Sequence, residues 1–492
     1  MKYVLTGKEM KDCDSFTILQ MQLPSMVLME RAALSAAKEI KTGYGAKSKV
    51  LVLCGSGNNG GDGFAVARLL LLDGMAADVY FAGKESSLTP ESALQKKIFE
   101  NYGGKYCRNF DFSEYTVLVD ALFGIGLSRP VTGMYAELID CINRCDHPVV
   151  ALDMPSGICA DSGKILGCAV RAECTVTFAF AKRGQLLYPG AAYCGKLLVK
   201  DIGITEHGLS REQDPAFTYG KEDLKQLPAR IPRSNKGTYG TVLLIAGGEN
   251  MAGAAVLSGI AAYRTGCGLV HILADEINRT VLQTNLPEAV FSSWQQMGVL
   301  KNALTRARAV GIGPGLGTGE RAQELLKEVL EIWDGPLVLD ADALNILALH
   351  PEFLEESTAK IIITPHPGEM ARITGYGISE ILENITGVCR EYAADHQLIC
   401  VLKDARTVVS DGQKLYINTS GNNGMAVGGS GDVLTGMICS LLSQGMSPFE
   451  AASMGVYLHG LSGDAAAEQL GTRSMMATDI AEHITEVLQK SR

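Results

Sequence analysis

A glycine-rich run leads directly into a helical pattern of apolar residues near position 430. Positions 428–432 read Gly-Gly-Ser-Gly-Asp, and apolar residues recur at helical spacing from Leu434 to Leu442. Glycines here leave the free amides and positive dipole end of a helix open to an anion such as phosphate. Asp432 falls in the first helical turn, where its carboxylate could take a proton from a hydroxyl that attacks the phosphate. A plain helix cap is the alternative, but a cap needs only one such residue, so phosphoryl transfer is favoured.

A second glycine-rich run follows an apolar run of strand type at 49–54 and precedes a predicted helix from Phe64 to Leu72. Its glycines between 55 and 60 satisfy Gly-x-Gly-x-x-Gly, the dinucleotide fingerprint. That fingerprint also requires an acidic residue about 20 positions on, at the end of the second strand. Here that strand runs into Ala-Gly at 82–83, and Asp78 lies at its beginning. The sequence therefore argues against an ordinary Rossmann dehydrogenase.

Carboxylates stand at the ends of two further apolar runs in the first half. Asp120 and Asp153 each end such a run, and each precedes a turn. Because ligands bind along the carboxyl edge of a parallel sheet, Asn59 and Ser156 could meet these aspartates in one cleft. Oxygen ligands of this kind suit a hard cation. The alternative is that the aspartates only cap turns and helices.

Polar residues also follow apolar runs in the second half. Asp340 and Asp342 could help to coordinate Mg²⁺, although Asp342 could equally cap the helix that follows. His366 stands between two prolines, where a restricted backbone favours a ligand contact as much as a structural hydrogen bond. Lys403 and Arg406 bring cations to another strand end.

The elements that must position these residues alternate between strand and helix. Alternation of this kind predicts α/β domains built on parallel, doubly wound sheets. Ser447 to Glu450 predict a capping box, with proline at the first position of a late helix. The predicted strands are 49–54, 78–81, 116–120, 149–153, 174–178, 241–246, 310–312, 337–339, 361–363 and 398–402, and further helices are predicted at 26–40 and 252–264.

The totals limit the class of protein. A length of 492 residues predicts two or more domains, because single cores stop growing near about 250–300 residues. A proline- and charge-rich stretch at 206–215 is the expected linker, which gives domains 1–215 and 216–492. The net charge of −10 disfavours nucleic acid or an anionic membrane surface as the main partner.

The cysteines, the N-terminal sequence and the lengths of the apolar runs give an expectation for the cellular location. The 13 cysteines are odd in number and include no Cys-x-x-Cys pair, which indicates reduced thiols rather than disulfides or a zinc site. The N-terminus has no apolar signal core, and no apolar run reaches the length of a membrane span. We therefore expect a cytoplasmic protein without a membrane partner.

In combination, these motifs resemble those of the bifunctional NAD(P)H-hydrate repair enzymes, and the likeness covers nearly the whole chain. It implies an N-terminal Rossmann-like epimerase domain at 1–215 and a C-terminal ribokinase-like domain at 216–492 that is an ADP- or ATP-dependent dehydratase. Hydrated NADH or NADPH and an adenine nucleotide are then the ligands, and we expect a homo-oligomer. The motifs lie at 58–63, 120–126, 153–157, 236–240, 313–315, 340–345, 366–369 and 429–432.

For the first half, the resemblance implies an epimerase that binds K⁺ through Asn59, Asp120 and Ser156, with Asp153 as the candidate acid or base. The residues implied to contact the hydrated cofactor are Asn58, Asn59, Gly60, Gly61, Asp62, Gly124, Ile125, Gly126, Leu127, Ser128, Arg129, Pro130, Tyr135 and Asp153.

For the second half, the resemblance implies that Asp432 deprotonates the ring hydroxyl of the hydrate, which attacks the terminal phosphate of ADP or ATP, with Mg²⁺ as a further cofactor. Two residues depart from the family pattern: Asn235 replaces a common histidine, and Asp404 replaces a glycine and adds a negative charge to the nucleotide site. The hydrate would contact Ala254, Gly315, His366 and Asp432, and the nucleotide would contact Lys403, Asp404, Ala405, Arg406, Thr407 and Gly431.

Two other functions remain open from the residues. A vitamin or sugar kinase would also use Gly-Ser-Gly-Asp at the start of a helix, but it would release a stable phosphorylated product. The first half could instead be a binding module without catalysis, in which Asp120 and Asp153 serve only as turn caps. The residues do not distinguish ADP from ATP as donor, or NADH-hydrate from NADPH-hydrate as preferred substrate.

Overall fold

The computed structural model describes residues 1–109, 111–209, 214–355 and 357–490. The chain divides into two compact units, one that covers Lys2–Ala216 and one that starts at Phe217. The predicted boundary after residue 215 stays a prediction, because residues 210–213 of the predicted linker lie outside the described residues. No helix in the described ranges is long and apolar enough to span a membrane.

The N-terminal unit alternates strands and helices. Its strands are β1 (Lys2–Leu5), β2 (Lys49–Cys54), β3 (Ala76–Phe81), β4 (Lys105–Tyr106), β5 (Val117–Ala121), β6 (Val149–Leu152), β7 (Cys174–Phe178), β8 (Ala181–Lys182) and β9 (Lys196–Lys200). Its helices are α1 (Gly7–Leu19), α2 (Ser25–Tyr44), α3 (Asn58–Leu72), α4 (Pro90–Asn101), α5 (Met134–Arg144), α6 (Arg183–Leu186) and α7 (Ala191–Cys194).

The main sheet of this unit is parallel, with the strand order β4-β3-β2-β5-β6-β7-β9. β2 and β5 are buried along nearly their whole length, which explains their continuous apolar sequences. The chain runs outward from β2 to β3 and then returns to β5 on the other side of β2. This reversal creates a switch point, where ligands bind beyond the carboxyl ends of the strands. The predicted doubly wound, Rossmann-like sheet is confirmed.

The first turn of α3 is glycine-rich, and here the predicted boundary is wrong. The helix begins at Asn58 rather than at Phe64. Asparagine and glycine are poor helix formers, so the apolar pattern alone places the start too late. A Cβ on Gly60 would collide with the carbonyl oxygen of Gly55, and a Cβ on Gly63 would lie 2.7 Å from the side chain of Ala121. These glycines therefore let α3 pack closely on the sheet.

The C-terminal unit also alternates strands and helices, and its sheet contains both parallel and antiparallel strands. Its strands are β10 (Ala216–Thr218), β11 (Thr241–Ile245), β12 (Leu269–Ala274), β13 (Val290–Ser293), β14 (Ala309–Ile312), β15 (Pro336–Leu339), β16 (Lys360–Ile363), β17 (Ile399–Leu402), β18 (Val408–Ser410) and β19 (Leu415–Ile417). Its helices are α8 (Ala252–Thr265), α9 (Arg279–Asn285), α10 (Val299–Leu304), α11 (Glu320–Ile332), α12 (Asp342–Leu349), α13 (Glu352–Glu355), α14 (Pro367–Thr374), α15 (Ile378–Glu383), α16 (Ile385–Asp395), α17 (Ser430–Ser443), α18 (Pro448–Leu470) and α19 (Ala477–Lys490).

The sheet of this unit has the order β13-β12-β11-β14-β15-β16-β17-β18-β19-β10. The pairs from β13 to β17 are parallel, whereas β18 is antiparallel to both β17 and β19. The order reverses between β11 and β14, so the loops after these strands and after β15 lie along one ligand-binding edge. Helices α8 and α17 cross closely, because a Cβ on Gly436 would collide with the carbonyl oxygen of Ser258.

The predicted capping box at the start of α18 is wrong in its geometry. Ser447 is the N-cap residue and Pro448 is the first helical residue, as predicted. However, no side-chain cap hydrogen bond forms, because the Ser447 hydroxyl donates to the Glu450 carboxylate at 2.7 Å instead.

Candidate active sites

A cavity of about 790 Å³ lies at the switch point of the N-terminal sheet. The loops after β2, β5 and β6 reach it with residues of the predicted substrate site. Gly60, Gly61 and Pro130 are not part of its lining; Gly61 packs against Met29 instead. The predicted residues that line it are Asn58, Asn59, Asp62, Gly124, Ile125, Gly126, Leu127, Ser128, Arg129, Tyr135 and Asp153.

Asp120 is fully buried beside this cavity and is held by Ser156. Its carboxylate accepts hydrogen bonds from the Ser156 amide at 2.7 Å, the Ser156 hydroxyl at 2.6 Å and the Leu122 amide at 3.2 Å. Burial raises the pKa of Asp120 to about 6, although these hydrogen bonds oppose the shift. Within the described ranges, no salt bridge gives Asp120 a cationic partner. The turn-cap alternative is thus realised in part, but it leaves a buried acid without a counter-charge.

Asn59 adds a second unsatisfied group. Both the oxygen and the nitrogen of its side-chain amide are buried and have no hydrogen-bond partner among the described residues. Unpaired buried polar atoms are costly, and in native proteins they usually indicate an unseen water, ion or ligand. An orphaned amide oxygen and a buried carboxylate without a counter-charge are groups that suit a cation.

Asp153 is held in a strained backbone position and is paired with a buried lysine. It follows β6 with φ of +61°, which non-glycine residues rarely adopt. Its carboxylate accepts from the Lys182 ammonium at 2.6 Å and from the Thr177 hydroxyl at 3.2 Å. The Gln185 amide donates to the backbone oxygen of Asp153 at 2.5 Å. These contacts hold the carboxylate in the cavity wall.

Two further carboxylates and Lys182 line the same cavity. Burial, together with the nearby charges of Asp153 and Asp14, raises the pKa of Asp62 well above its ordinary value, although Lys182 opposes the shift. Burial and the charge of Asp153 also raise the pKa of Asp14. Sequence reasoning missed Asp14 and Lys182, because each stands in an element without a ligand motif, at a long sequence separation from Asp153.

In the C-terminal unit, the glycine-rich run forms the start of α17 as predicted. Gly429 is the N-cap with φ of +91°, and Asp432 lies in the first turn. The residue at the cap is therefore glycine, and Asp432 is not needed there. The Ser258 hydroxyl donates to the backbone oxygen of Asp432 at 2.9 Å, which fixes this turn to α8. Gly431 and Asp432 lie in the first helical turn, where backbone amides have no intrahelical partner and the helix dipole is positive.

Asp432 has the electrostatic character of a base near neutral pH. Burial and the charges of Asp340 and Asp342 raise the pKa of Asp432 to about 7, although the ammonium of Lys403 opposes the shift. That ammonium pairs with the buried carboxylate of Asp340 at 2.9 Å. Thr435 donates to the other oxygen of Asp340 at 2.8 Å. Lys403 is thus engaged by Asp340, which leaves Asp432 free to accept a proton.

The predicted nucleotide segment follows β17. Beyond Lys403, Asp404 and Ala405 are exposed. Arg406 donates to the Thr419 backbone oxygen at 3.1 Å, while its buried Nε has no partner. Gly431 lies near this segment, because a Cβ placed on it would be 3.4 Å from the Lys403 ammonium. The structure therefore brings Lys403 and Gly431 together.

His366 has the structural role that the sequence left open. It is the N-cap of α14, and its Nδ1 accepts from the Gly368 amide at 3.0 Å and the Glu369 amide at 3.3 Å. Since Nδ1 accepts these bonds, the neutral ring carries its proton on Nε2. About half of the side chain is exposed, and Nε2 lies 3.5 Å from a carboxylate oxygen of Glu369.

Asp340 and Asp342 both accept hydrogen bonds from the protein, and their predicted role towards Mg²⁺ stays a prediction. Both oxygens of Asp340 accept protein hydrogen bonds, as described above. Asp342 accepts from the Gly317 amide at 2.8 Å and from the Asn345 side chain at 3.2 Å. In the described part of the chain, no group of three or more His, Cys, Asp or Glu side chains is arranged to hold a metal ion.

Two predicted hydrate contacts, Gly315 on the loop after β14 and Ala254 in the first turn of α8, lie close together. Gly315 has φ of +54°, and a Cβ on it would lie 3.1 Å from that of Ala254. The amide of Gly248 donates to the Gly315 backbone oxygen at 2.6 Å, which joins this loop to the loop after β11. The sequence did not single out His459 on α18, whose Nε2 lies 3.3 Å from the Ser430 hydroxyl oxygen.

Known proteins match both units. A family described as NAD(P)H-hydrate dehydratase matches residues 242–486, and one described as YjeF-related protein N-terminus matches residues 25–184. The bifunctional NAD(P)H-hydrate repair enzyme of Moorella thermoacetica is 38% identical over 99% of this chain and 97% of its own. The Escherichia coli enzyme of that name is 37% identical over 94% of this chain and 89% of its own.

Solved structures match the C-terminal unit. The ADP/ATP-dependent NAD(P)H-hydrate dehydratase from Bacillus subtilis, crystallised with ATP and Mg²⁺, is 32% identical with a TM-score of 0.51, and the match covers 57% of this chain and all of that one. A ribokinase-like protein from Enterococcus faecalis is 29% identical with a TM-score of 0.51, over 56% of this chain and 96% of its own. The predicted ribokinase-like fold is confirmed. From its matches along nearly the whole length, the chain belongs to the family of bifunctional NAD(P)H-hydrate repair enzymes.

Proposed function

We propose that this protein repairs hydrated NADH and NADPH. The N-terminal unit interconverts the R and S hydrates, and the C-terminal unit dehydrates the S-hydrate at the expense of ADP or ATP. The observation that carries the proposal is Asp432, a half-buried carboxylate with a pKa of about 7 in the first turn of a glycine-capped helix. Phosphoryl transfer to a hydroxyl requires a base beside an anion site, and the position of Asp432 supports this role.

Dehydration then proceeds in two steps. In the first step, Asp432 takes the proton of the ring hydroxyl, and the hydroxyl oxygen forms a bond to the terminal phosphorus of the nucleotide. The bond between this phosphorus and the rest of the nucleotide breaks, so that AMP is released from ADP, or ADP from ATP. The C–O bond then breaks with departure of inorganic phosphate, and loss of one proton from the neighbouring ring carbon restores the double bond. Amides at the start of α17 stabilise the charge on the phosphate, a contribution of about 3 kcal/mol for each well-placed donor.

The C-terminal site is proposed to bind two ligands, the hydrate and the nucleotide, through different residues. The hydrate contacts Ala254, Gly315, His366 and Asp432. The nucleotide contacts Gly431 and the segment at 403–407. Mg²⁺ would be held by the phosphates of the nucleotide, where it would offset their negative charge.

Epimerisation uses the N-terminal cavity. Inversion requires that a proton reach the leaving hydroxyl and that another leave the water that adds to the opposite face. Asp153 is the proposed acid or base, and its pairing with Lys182 fixes its position. K⁺ would be held by Asn59, Asp120 and Ser156, where its charge would offset the buried carboxylate. The proposed cofactor contacts are those predicted for Asn58 to Asp62, Gly124 to Pro130 and Tyr135.

We also propose that the enzyme works in the cytoplasm as a homo-oligomer, with neither nucleic acid nor a membrane as partner. The negative charge of −10 supports the last point, because it repels polyanions.

To test the proposed function, purified R-hydrate of NADH is incubated with the full-length protein in the presence of K⁺. Without nucleotide, we expect a mixture of R and S hydrates, separated by chromatography. With ADP or ATP, we expect NADH absorbance to return with one phosphate released for each NADH. A phosphorylated product that persists would instead indicate a vitamin or sugar kinase. Absence of R-to-S conversion would indicate a binding module in the first half.

A further inference from the structure

The loop after β3 occupies the position at which dinucleotide-binding sheets recognise the adenosine ribose. In such sheets an acidic residue at this strand end binds the 2′-hydroxyl of NAD, whereas a nearby cation accommodates the 2′-phosphate of NADP. Here the strand ends at Phe81 and is followed by Ala82, Gly83 and Lys84. The cationic Lys84 therefore follows this strand end, where an acidic residue would instead repel the 2′-phosphate of NADP.

Lys84 is fixed to the glycine-rich loop and faces the cavity. Its amide donates to the Ser56 hydroxyl oxygen at 2.9 Å, so the loops after β2 and β3 are joined at the cavity rim. Both residues line the cavity, together with Ser87. Within the described residues, no hydrogen bond or salt bridge engages the Lys84 ammonium, and the side chain is exposed. The charge is therefore available to an anionic ligand.

The acidic residues near this position are engaged elsewhere. Glu85, the next residue in the chain, pairs with Lys96 at 3.0 Å. Glu91 also lines the cavity, but its carboxylate accepts from the Ser25 hydroxyl at 3.0 Å. Asp78 lies towards the opposite end of β3, where it accepts from the Tyr115 hydroxyl. Within the described ranges, none of these carboxylates forms a salt bridge with Lys84.

The orientation of the bound cofactor follows from the two ends of the cavity. The reacting ring must lie near Asp153, which follows β6 on one side of the switch point. The first turn of α3, with free amides at Asn58 and Asn59, suits the pyrophosphate. The adenosine ribose then extends over β3, on the other side of β2.

We propose that Lys84 binds the 2′-phosphate of NADPH-hydrate, so that the epimerase site favours hydrated NADPH over hydrated NADH. This inference rests on the proposed function and adds a substrate preference to it. Ser87 lines the same cavity, and its hydroxyl is a further donor for this phosphate group.

The test compares kcat/KM for R-to-S conversion of the two hydrates by the full chain, without nucleotide so that dehydration cannot occur. The wild-type protein should favour NADPH-hydrate. Lys84→Ala should lower the ratio of the NADPH-hydrate to the NADH-hydrate value by about tenfold, because a charged hydrogen bond to the phosphate is lost. Lys84→Glu should lower it further by repulsion, and Lys84→Arg should retain most of it.

Lys105→Ala is the matched control, because Lys105 is an exposed lysine at the start of β4 outside the cavity lining. It should leave the ratio at the wild-type value. A ratio that Lys84→Ala and Lys84→Glu do not change would overturn the role of Lys84, while conversion of both hydrates would still support the epimerase. No conversion of either hydrate by the wild-type protein would instead refute the proposed function itself.

Discussion

At the residue scale, the two sites hold their proposed acid–base carboxylates in different surroundings. Asp153 is paired directly with the ammonium of Lys182 at 2.6 Å. Asp432 has no such direct pair, because the nearby Lys403 is bonded to Asp340. Carboxylates whose surroundings differ in this way are suited to different acid–base tasks in one protein.

The raised pKa of Asp432 predicts the pH dependence of dehydration. A base acts only when deprotonated, so kcat should rise with pH through about 7 and level off above it, and activity should be lost as pH falls below that value. Initial rates of NADH return, measured with saturating S-hydrate and nucleotide from about pH 5 to about pH 9, check this. A rate that stays constant through neutrality would exclude a base with this pKa.

Lys182 should be required for epimerisation. Lys182→Met would leave the carboxylate of Asp153 without its cation in a buried position, which should destabilise the fold by about 3 kcal/mol and lower the epimerisation rate at least tenfold. Chromatography of the two hydrates and urea unfolding measure the two effects. Lys182→Arg keeps the charge and should retain more of both. Wild-type rates in the methionine variant would show that Asp153 acts without this ion pair.

At the element scale, strand ends were more predictable than helix starts. The apolar runs before Asp120, Asp153 and Asp340 were visible in the sequence because strands buried on both faces need continuous apolar residues. The start of α3 was predicted six residues late, since the glycines needed for close packing are also poor helix formers. Packing against a distant strand decides such a start, and the local sequence does not contain that information.

The same limit applies to site residues. Motifs predicted Asn59, Gly124 and Asp153, which share one cavity. They did not predict Lys182 or Asp14, because a long-range ion pair leaves no local spacing pattern in the sequence. Gly60 and Gly61 were predicted as contacts because they belong to the motif, but they do not line the cavity.

The close packing of α3 gives a prediction of stability. Gly60→Ala should lower the free energy of unfolding by about 1–3 kcal/mol, because its Cβ would collide with the Gly55 carbonyl oxygen and push the helix from the sheet. The matched control is Gly43→Ala in the exposed last turn of α2, where no atom lies within 4 Å of an added Cβ. That change should be neutral or stabilising, because alanine favours helix. Urea unfolding measures the stability of both variants. Equal stability of the two variants would contradict the close packing of Gly60 against Gly55.

At the scale of the whole molecule, one chain carries two reactions in separate units. The cavity and the Asp153–Lys182 pair belong entirely to the unit Lys2–Ala216, and the Asp432 site belongs to the unit that starts at Phe217. A substitution at one site should therefore leave the other reaction intact. This separation lets each activity serve as the folding control for the other.

The most direct measurement is therefore made on Asp432→Asn, with both reactions followed in one preparation. Asparagine keeps the size of the side chain but cannot accept the proton, so kcat for nucleotide-dependent NADH return should fall by about 10²–10⁴-fold. Interconversion of the R and S hydrates without nucleotide should continue at the wild-type rate and show that the protein is folded. NADH return at a near wild-type rate would contradict the proposed role of Asp432.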